Sequence, residues 1–323
     1  KTKRNSVNCY KSTGNMMRIF LVAPKSISGH VKADESFRFD YAFWNFYFPL
    51  KSLGHEVTFV DTSVAGDKEL SNLIEEKKPD LLFCIMTGDP GYCPHEPWET
   101  ISRETKEGRL KTFNWFCDDS WRFDTFSSKV CNLFHFCSTP EKRFLKRYED
   151  IGYSNIIEAT WHACTDFYSS IPTSKKSRVA FVGSPAGDRA LFLDSIKTAK
   201  IPIVHPKGVS FEDLVYTYAS SLIGINFSKN AANGEPQMKG RMFEVPAARS
   251  LLVTEYTPGI EEYFTPDKEI VCFKSITEMN DKIKFLLKNP NITEKIAKNG
   301  HKRYLDEHTS EVRLRKVLED AFK

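Results

Sequence analysis

The amino-acid sequence predicts an α/β protein built from two doubly wound domains that face each other across a cleft. The chain has 323 residues, more than a single hydrophobic core usually organises, so two domains are expected. Short apolar runs alternate with segments of helical periodicity, which is typical of parallel sheets covered by helices on both faces. This alternation stops at a polar, proline-containing segment, residues 169–177, and then starts again, as expected of a domain linker.

Composition restricts the class of protein. Hydrophobic residues make up 41% of the chain and charged residues 27%, which is ordinary for a folded enzyme or binding protein and excludes a collagen-like or wholly disordered chain. The 46 basic and 42 acidic residues nearly balance, so charge neither demands nor excludes nucleic-acid binding. No apolar run approaches the roughly 20 residues that cross a bilayer, and the first residues lack an apolar signal core, so we expect a cytoplasmic protein.

The N-terminal domain is predicted over residues 16–168, after a polar and mobile tail, residues 1–15. Met16 or Met17 would suit a natural start, and whether the residues before them are native is left open. The predicted strands are Arg18–Ala23, Glu56–Val60, Asp80–Met86, Lys111–Phe116, Leu133–Cys137 and Ile156–Thr160. The predicted helices are Phe37–Leu53, which Gly54 would end, Ser71–Lys77 and Trp98–Glu107.

The C-terminal domain is predicted over residues 178–323. Its predicted strands are Arg178–Gly183, Leu222–Asn226, Leu251–Glu255 and Glu269–Phe273. Its predicted helices are Arg189–Ala199, a helix that begins near Ser275, and a last helix whose apolar stripe, residues 314–321, must pack on a neighbour such as the N-terminal domain. Both halves are thus Rossmann-like, and ligands are expected at the carboxyl ends of their strands.

A glycine-bearing turn follows the first strand of the second half. Gly183, Ser184 and Gly187 lead into a helix that Arg189 begins. Free amide groups at such a helix start attract phosphate, and Arg189 adds a positive charge there. An ordinary strand-to-helix turn is the alternative, since neither a Walker loop nor a full dinucleotide fingerprint is present.

A second group of polar residues lies downstream. Lys239 and Arg241 suit a diphosphate, and Glu244 suits the hydroxyls of a ribose; solvated surface charges and a helix-start acid are the alternative. The turn Tyr256-Thr257-Pro258-Gly259 would present backbone amides to a sugar, or it is a plain loop.

Asp118 and Asp119 follow a predicted strand, which places them at the edge of the cleft. One of them would accept a proton from an acceptor hydroxyl, or both simply cap the next helix. His30 and His162 are weaker candidates for the same task. The aromatic run from Phe37 to Phe48 is either core or a platform for the acceptor.

The sequence does not predict a metal site. Cys84, Cys93 and His95 lie near one another in the chain, but they lack the C-x-x-C spacing of zinc sites. Cys84 also falls within an apolar, strand-like run.

The C-terminal half resembles the CgeB-type (spore maturation protein-like) glycosyltransferases, which have the two-domain GT-B architecture. The matching segments are residues 239–247 (KGRMFEVPA), 251–264 (LLVTEYTPGIEEYF), 268–271 (KEIV) and 307–309 (EHT). Residues 179–184 (VAFVGS) with Gly187 and Arg189 are similar to the first strand and turn of that family's donor domain, and residues 114–124 (NWFCDDSWRFD) to a signature of its N-terminal domain. About two-thirds of the chain is covered.

The resemblance implies a nucleotide-sugar site between the domains, with a UDP-sugar as donor substrate and no cofactor or metal. Glu244 would bind the donor ribose, and Arg189, Lys239 and Arg241 would offset the diphosphate charge. The remaining residues of the donor pocket would be Gly183, Ser184, Tyr256, Thr257, Pro258 and Gly259.

Two departures from the family pattern are visible. Related sites often carry two glutamates with seven residues between them, whereas eight separate Glu235 from Glu244. Arg249-Ser250 stand where relatives often have glycine, which would narrow the pocket.

The expected function is metal-independent transfer of a sugar to an acceptor hydroxyl. Inversion follows if Asp118 or Asp119 is the base, and retention follows if the leaving phosphate takes the proton. A non-catalytic nucleotide- or glycan-binding module and a nucleotide-sugar epimerase are the alternatives. The sequence leaves open the donor sugar and base, the oligomeric state, and whether the acceptor is a glycan, a protein, a small molecule or modified DNA.

Overall fold

The computed structural model describes residues 16–25, 41–91, 93–169, 171 and 174–322. The predicted tail, His30 and the first four residues of the predicted helix 37–53 lie outside these ranges, as do parts of the predicted linker.

Six parallel strands form the first sheet, in the order β2-β1-β3-β4-β5-β6. They are β1 (Arg18–Ala23), β2 (Glu56–Asp61), β3 (Leu81–Cys84), β4 (Lys111–Trp115), β5 (Phe136–Thr139) and β6 (Ile156–Glu158). The helices of this half are α1 (Phe48–Ser52), α2 (Asp67–Lys77), α3 (Trp98–Glu107), α4 (Asp119–Arg122), α5 (Ser128–Val130), α6 (Leu145–Asp150) and α7 (Thr165–Ser169).

Five parallel strands form the second sheet, in the order β11-β10-β9-β7-β8. They are β7 (Lys176–Ala180), β8 (Ile203–Val204), β9 (Ser221–Asn226), β10 (Leu251–Glu255) and β11 (Val271–Phe273). The helices of this half are α8 (Arg189–Thr198), α9 (Phe211–Ala219), α10 (Arg241–Ala247), α11 (Ile276–Lys288), α12 (Pro290–Glu307) and α13 (Ser310–Phe322). The predicted fold class, two doubly wound parallel-sheet domains, is confirmed.

Local packing explains where the elements differ from the prediction. Strand β5 begins at Phe136 because residues Cys131–Leu133 form a 3-10 turn before it. Strand β7 begins at Lys176, inside the predicted linker. The helix predicted over 37–53 is described as a π-helical segment, Phe43–Tyr47, followed by α1. Strand β8 and helices α5, α6, α7, α9 and α12 were missed.

The last helix lies against the first sheet. Leu314, Val317 and Leu318 are buried in a core that also contains residues of both sheets. The ring of Phe322 lies 6.5 Å from that of Phe113 and 5.6 Å from that of Phe136, measured between centroids. One continuous apolar core therefore joins the two halves of the chain.

Helix α10 is packed tightly on both sides. Six of its seven residues are buried, and only Arg241 at its start is partly exposed. On one side, Gly224 of β9 admits Val245, since a Cβ atom on Gly224 would lie 2.6 Å from Val245 Cγ1. On the other side α10 packs against α12. This packing fixes the start of α10 at the carboxyl ends of the strands.

Gly300 in α12 is a place where alanine should destabilise the protein. Alanine in a helix interior is normally favoured over glycine by about 1 kcal/mol. A Cβ atom on Gly300, however, would overlap the main-chain carbonyl oxygen of Glu269, and overpacking of this kind costs about 1–3 kcal/mol. We expect Gly300→Ala to lower the free energy of unfolding, measured by urea denaturation. The exposed Lys295→Ala on the same helix is the control, and an unchanged or raised stability of Gly300→Ala would contradict the packing.

Candidate active site

A cavity of about 640 Å³ lies between the two domains. Pro24, Ile85 and Cys117 line it just beyond β1, β3 and β4, and Asn230 lines it beyond β9. The carboxyl ends of both sheets therefore face the same space, which is where ligands bind in doubly wound folds.

Three cations line the C-terminal wall of this cavity: Arg189, Lys239 and Arg241. Each is held by main-chain carbonyl groups. Arg189 Nη1 donates to Ser184 O at 3.2 Å. Lys239 Nζ donates to Phe227 O at 2.9 Å, and Arg241 Nε donates to Val182 O.

Carbonyl dipoles orient these cations but do not neutralise them. Burial, together with repulsion from Arg189 and Arg241, lowers the pKa of Lys239 to about 7. Nearby Asp118 and Glu255 oppose this shift only in part. A bound anion would relieve the repulsion, so the wall is chemically suited to a phosphate or diphosphate.

Glu244 lies one turn into α10 from Arg241, and its side chain is 2% exposed. Burial raises the pKa of its carboxyl, and Arg241 opposes that rise. Within the described residues its Oε2 atom has no hydrogen-bond partner, and the residue lines the cavity. A buried acceptor oxygen without a partner is costly, and a ligand hydroxyl would satisfy it.

The glycine turn after β7 supports the cations more than it lines the cavity. A Cβ atom on Gly183 would lie 3.1 Å from the ring of Phe181 and 3.4 Å from Arg241 Nη2, so glycine lets the Phe181 ring lie close to the turn, beside the guanidinium. The carbonyl of Gly183 also accepts a bond from His205 Nε2 at 2.8 Å. Ser184 is exposed and contributes its carbonyl oxygen to Arg189.

The Thr-Pro-Gly turn lies apart from the cations. Pro258 and Gly259 line a separate recess with Lys142, and Thr257 is fully buried. Tyr256 lies under Lys274, whose Nζ is 4.6 Å from its ring centroid. The structure thus does not bring this turn to the main cavity: it leads into a 3-10 turn, Ile260–Glu262, whose Glu262 carboxylate is 3.4 Å from Lys142 Nζ of the N-terminal half.

Asp118 and Asp119 point to different environments. Asp118 lines the cavity, and its Oδ1 accepts a bond from Gln237 Nε2 at 3.3 Å. Asp119 is 1% exposed, does not line the cavity and accepts a bond from Tyr148 Oη at 3.0 Å. Neither side chain makes a cap bond to α4. Burial raises the pKa of both carboxyls.

Aromatic side chains form the N-terminal wall of the cavity. Those that line it are Tyr41, Phe46, Trp115, Trp121 and Trp161. The Nε1 atoms of Trp115 and Trp161 are buried and have no partner within the described part of the chain. This wall offers flat apolar faces and N–H donors, which suits a ring that carries hydroxyl groups.

The aromatic run near Phe48 is divided between core and cavity. Phe46 lines the cavity, whereas Phe43 and Tyr47 stack on each other at 5.2 Å. His162 lies behind the wall, fully buried, with Nδ1 at 2.8 Å from Ser310 Oγ. Burial lowers the pKa of His162 to about 3, so it is neutral at ordinary pH and does not reach the cavity.

Glu255 and Gln237 are among the residues at or near the site that sequence reasoning missed. Glu255, at the end of β10, accepts bonds from the backbone N–H groups of Ser228 and Lys229 at 3.0 and 3.3 Å. It lines a smaller recess that shares Arg189 and Asn230 with the main cavity. Gln237 is the second, and it joins the two walls. The position of Glu255 at a strand end was a usable signal, whereas Gln237 gave none.

The residues at which the sequence departs from the family pattern, Glu235, Arg249 and Ser250, lie outside the cavity. The exposed Glu235 carboxylate is 3.8 Å from Arg143 Nη1 and does not line the site. Arg249 adopts a left-handed φ of 59° just beyond α10, a conformation that glycine adopts more easily. Ser250 is buried and donates to Tyr218 O. Neither Arg249 nor Ser250 narrows the cavity.

Within the ranges that the structure describes, no group of three or more His, Cys, Asp or Glu side chains could hold a metal ion. Cys84 is fully buried in β3 and Cys93 is buried nearby. None of the helices described is both long and apolar enough to span a bilayer.

Comparisons with known proteins agree with this architecture. Residues 167–319, just under half of the chain, match the family model described as "Glycosyl transferase-like". None of the curated proteins matches the chain. A solved α-glucosyltransferase in complex with UDP-glucose and DNA containing an abasic site is similar, with a TM-score of 0.65, 11% identity, and coverage of 96% of this chain and 100% of that one.

Two further solved structures are similar at the same level. A glycosyltransferase from Rickettsia africae has a TM-score of 0.60 and 15% identity, covering 95% of this chain and 98% of that one. Anabaena HepE in complex with UDP and glucose has a TM-score of 0.61 and 11% identity, covering 94% and 98%. At these identities the likeness shows the fold, and the predicted GT-B architecture is confirmed.

The lowered pKa of Lys239 predicts that the site binds a diphosphate, for which UDP is the probe, with an affinity that depends on pH. A diphosphate favours the ammonium form, so binding should take up a proton above pH 7, and affinity should fall by up to about tenfold per pH unit as the pH rises toward 9. The phosphate groups themselves are ionised in this range, since their second pKa is about 6. Isothermal calorimetry between about pH 7 and pH 9 measures this. Lys239→Arg keeps its charge and should give a flat profile; a wild-type profile equally flat would contradict the assignment.

Proposed function

We propose that the protein is a glycosyltransferase that moves a sugar from a UDP-sugar to an acceptor hydroxyl without a metal ion. The observation that carries this proposal is the grouping of Arg189, Lys239 and Arg241 in one cavity with Glu244, whose buried Oε2 atom has no hydrogen-bond partner among the described residues. Three cations fit a diphosphate, and a carboxylate three positions along α10 from Arg241 fits the hydroxyls of the adjoining ribose. The match to a glycosyltransferase-like model over residues 167–319 supports the same function, and membership of the CgeB-type group is part of the proposal.

The three cations would do the work that a metal ion does in other phosphate-transfer sites. The bond between the sugar's anomeric carbon and the diphosphate oxygen breaks, and its electron pair leaves with UDP. Fixed positive charges at that oxygen stabilise the charge as it develops, and they need no reorganisation because carbonyl groups already hold them. This is why we propose a metal-independent reaction.

The acceptor would lie against the aromatic wall. Its hydroxyl oxygen forms the new bond to the anomeric carbon, and its proton passes to Asp118, which lines the cavity. Burial raises the pKa of Asp118, which makes the carboxylate a stronger proton acceptor near neutral pH. A base in this position implies inversion at the anomeric carbon. A product that keeps the donor's configuration would instead assign the proton to the leaving phosphate.

The reaction itself is tested with a donor panel. Protection against heating by UDP-sugars identifies the donor, and the same donor is then incubated with candidate acceptors in the presence and absence of EDTA. We expect release of UDP and a glycosylated product in both conditions. Binding without turnover would indicate a binding module, a remodelled donor sugar would indicate an epimerase, and loss of turnover in EDTA would contradict the metal-independent reaction.

Glu244 provides the sharpest test of the donor site. We expect Glu244→Ala to weaken the binding of UDP by about tenfold to a hundredfold, because a hydrogen bond to a charged group contributes about 1.5–3 kcal/mol. Calorimetry measures the affinity, and thermal melting checks that the fold is intact. Glu235→Ala is the matched control, since that carboxylate is exposed and outside the cavity. Equal affinities for the wild type and Glu244→Ala would refute the assignment.

A further inference from the structure

Gln237 joins the two walls of the cavity. It lies in the loop between β9 and α10, and its backbone N–H donates to Ser228 O at 3.2 Å. Its side-chain Nε2 donates to Asp118 Oδ1 at 3.3 Å, and its Oε1 accepts a bond from Ser120 Oγ. The residue is 8% exposed. The side-chain amide of Gln237, in the C-terminal half, thus forms hydrogen bonds with two side chains of the N-terminal half.

The same loop also carries part of the anion site. Lys239 lies two positions beyond Gln237, and its Nζ donates to Lys229 O at 2.6 Å in the first part of the loop. Asn233 Nδ2 donates to Ser120 O at 3.0 Å. The loop is therefore attached to the proposed diphosphate site at one end and to the N-terminal domain along its length.

We propose that Gln237 is a positioning residue, which orients Asp118 as proton acceptor and makes that orientation depend on the donor-binding loop. This inference rests on the proposed function. Gln237 touches neither the leaving diphosphate nor the acceptor in this scheme. It acts through Asp118, whose Oδ1 accepts its hydrogen bond.

The groups around Asp118 explain why an uncharged amide, that of Gln237, suits the role of hydrogen-bond donor to its carboxylate. The titratable groups that face it are Arg122 on its own helix, Lys239 from across the cavity, the carboxyls of Asp119 and Glu141, and the thiol of Cys117, which burial keeps protonated. Burial raises the pKa of Asp118, and Arg122, Gln237 and Lys239 oppose that rise. An N–H donor favours the carboxylate without adding a charge to the cavity, whereas a third cation would hold it ionised but make it a weaker base.

The experiment compares Gln237→Glu with the wild type in the pH dependence of UDP-glucose hydrolysis, with water as the acceptor. The base must be ionised, so activity is lost as the pH falls through its pKa. The variant removes the N–H donor and adds a negative charge beside Asp118, both of which raise that pKa. We expect the acidic limb of kcat to move up by at least about one pH unit, so that kcat measured on that limb falls about tenfold, with UDP affinity changed less than twofold.

Asn233→Asp is the matched control. It makes the same change of amide to carboxylate in the same loop, keeps the Oδ1 acceptor for Asn230 and Glu235, and weakens the contact with Ser120 O. It does not touch Asp118, so the acidic limb should stay in place. Gln237→Met removes the N–H group without adding a charge, so it should shift the acidic limb in the same direction but by less. This variant replaces Gln237→Glu in the test if thermal melting shows that Gln237→Glu is unfolded.

The outcomes separate the inference from the proposed function. A wild-type protein that neither binds UDP nor hydrolyses UDP-glucose overturns both. Suppose that the wild type is active, and that the Gln237 variants have a raised KM for the donor but an unmoved acidic limb. Gln237 then contacts the donor, and this result overturns the inference alone. If Asn233→Asp shifts the acidic limb by the same amount, the effect comes from any weakened contact between the domains rather than from Gln237. That result also overturns the inference.

Discussion

The repulsion among Arg189, Lys239 and Arg241 is the constraint on which the site depends. Like charges in a partly buried wall separate unless the backbone holds them, and here carbonyl groups from the ends of β7 and β9 do so. Parallel strands make this possible because their carboxyl ends lie side by side and leave carbonyl oxygens without ladder partners. The positive wall is thus a product of the sheet.

The two walls of the cavity differ in chemical character. The C-terminal wall is charged and built from strand ends and the start of α10, which fixes where an anionic group can lie. The N-terminal wall is largely aromatic, with Asp118 at its edge and two tryptophan N–H groups without partners in the described chain. A ligand with one charged end and one neutral, hydroxyl-bearing end can bind in one direction only, because reversing it would bury a diphosphate against indole rings.

Local sequence patterns predicted the bounds of those elements that depend on local packing alone. The bounds of β10 follow the prediction because a short buried run sets them, and α3 ends where predicted because Gly108 follows it in a left-handed conformation. Helix α9 was missed because six of its nine residues are buried, so it shows no clear polar stripe. Asp119 turns inward to Tyr148, although it adjoins Asp118, because successive residues at a helix start point in different directions. The bond between Gln237 and Asp118 spans 119 positions, and no local pattern encodes it.

The way the halves are joined limits how the cavity can open. Behind the site, a single apolar core runs from the first sheet through α13 into the second half, and separating it would expose side chains at about 25 cal/mol for each Å². Across the mouth the contacts are polar: Gln237 with Asp118, Arg143 with Pro236 O at 2.8 Å, and the exposed pair Lys142 and Glu262 at 3.4 Å. Exposed pairs contribute about 0–1 kcal/mol each. A ligand can therefore enter by breaking the polar contacts while the core stays intact, and the contact to Asp118 is among those that must form again before the proposed reaction.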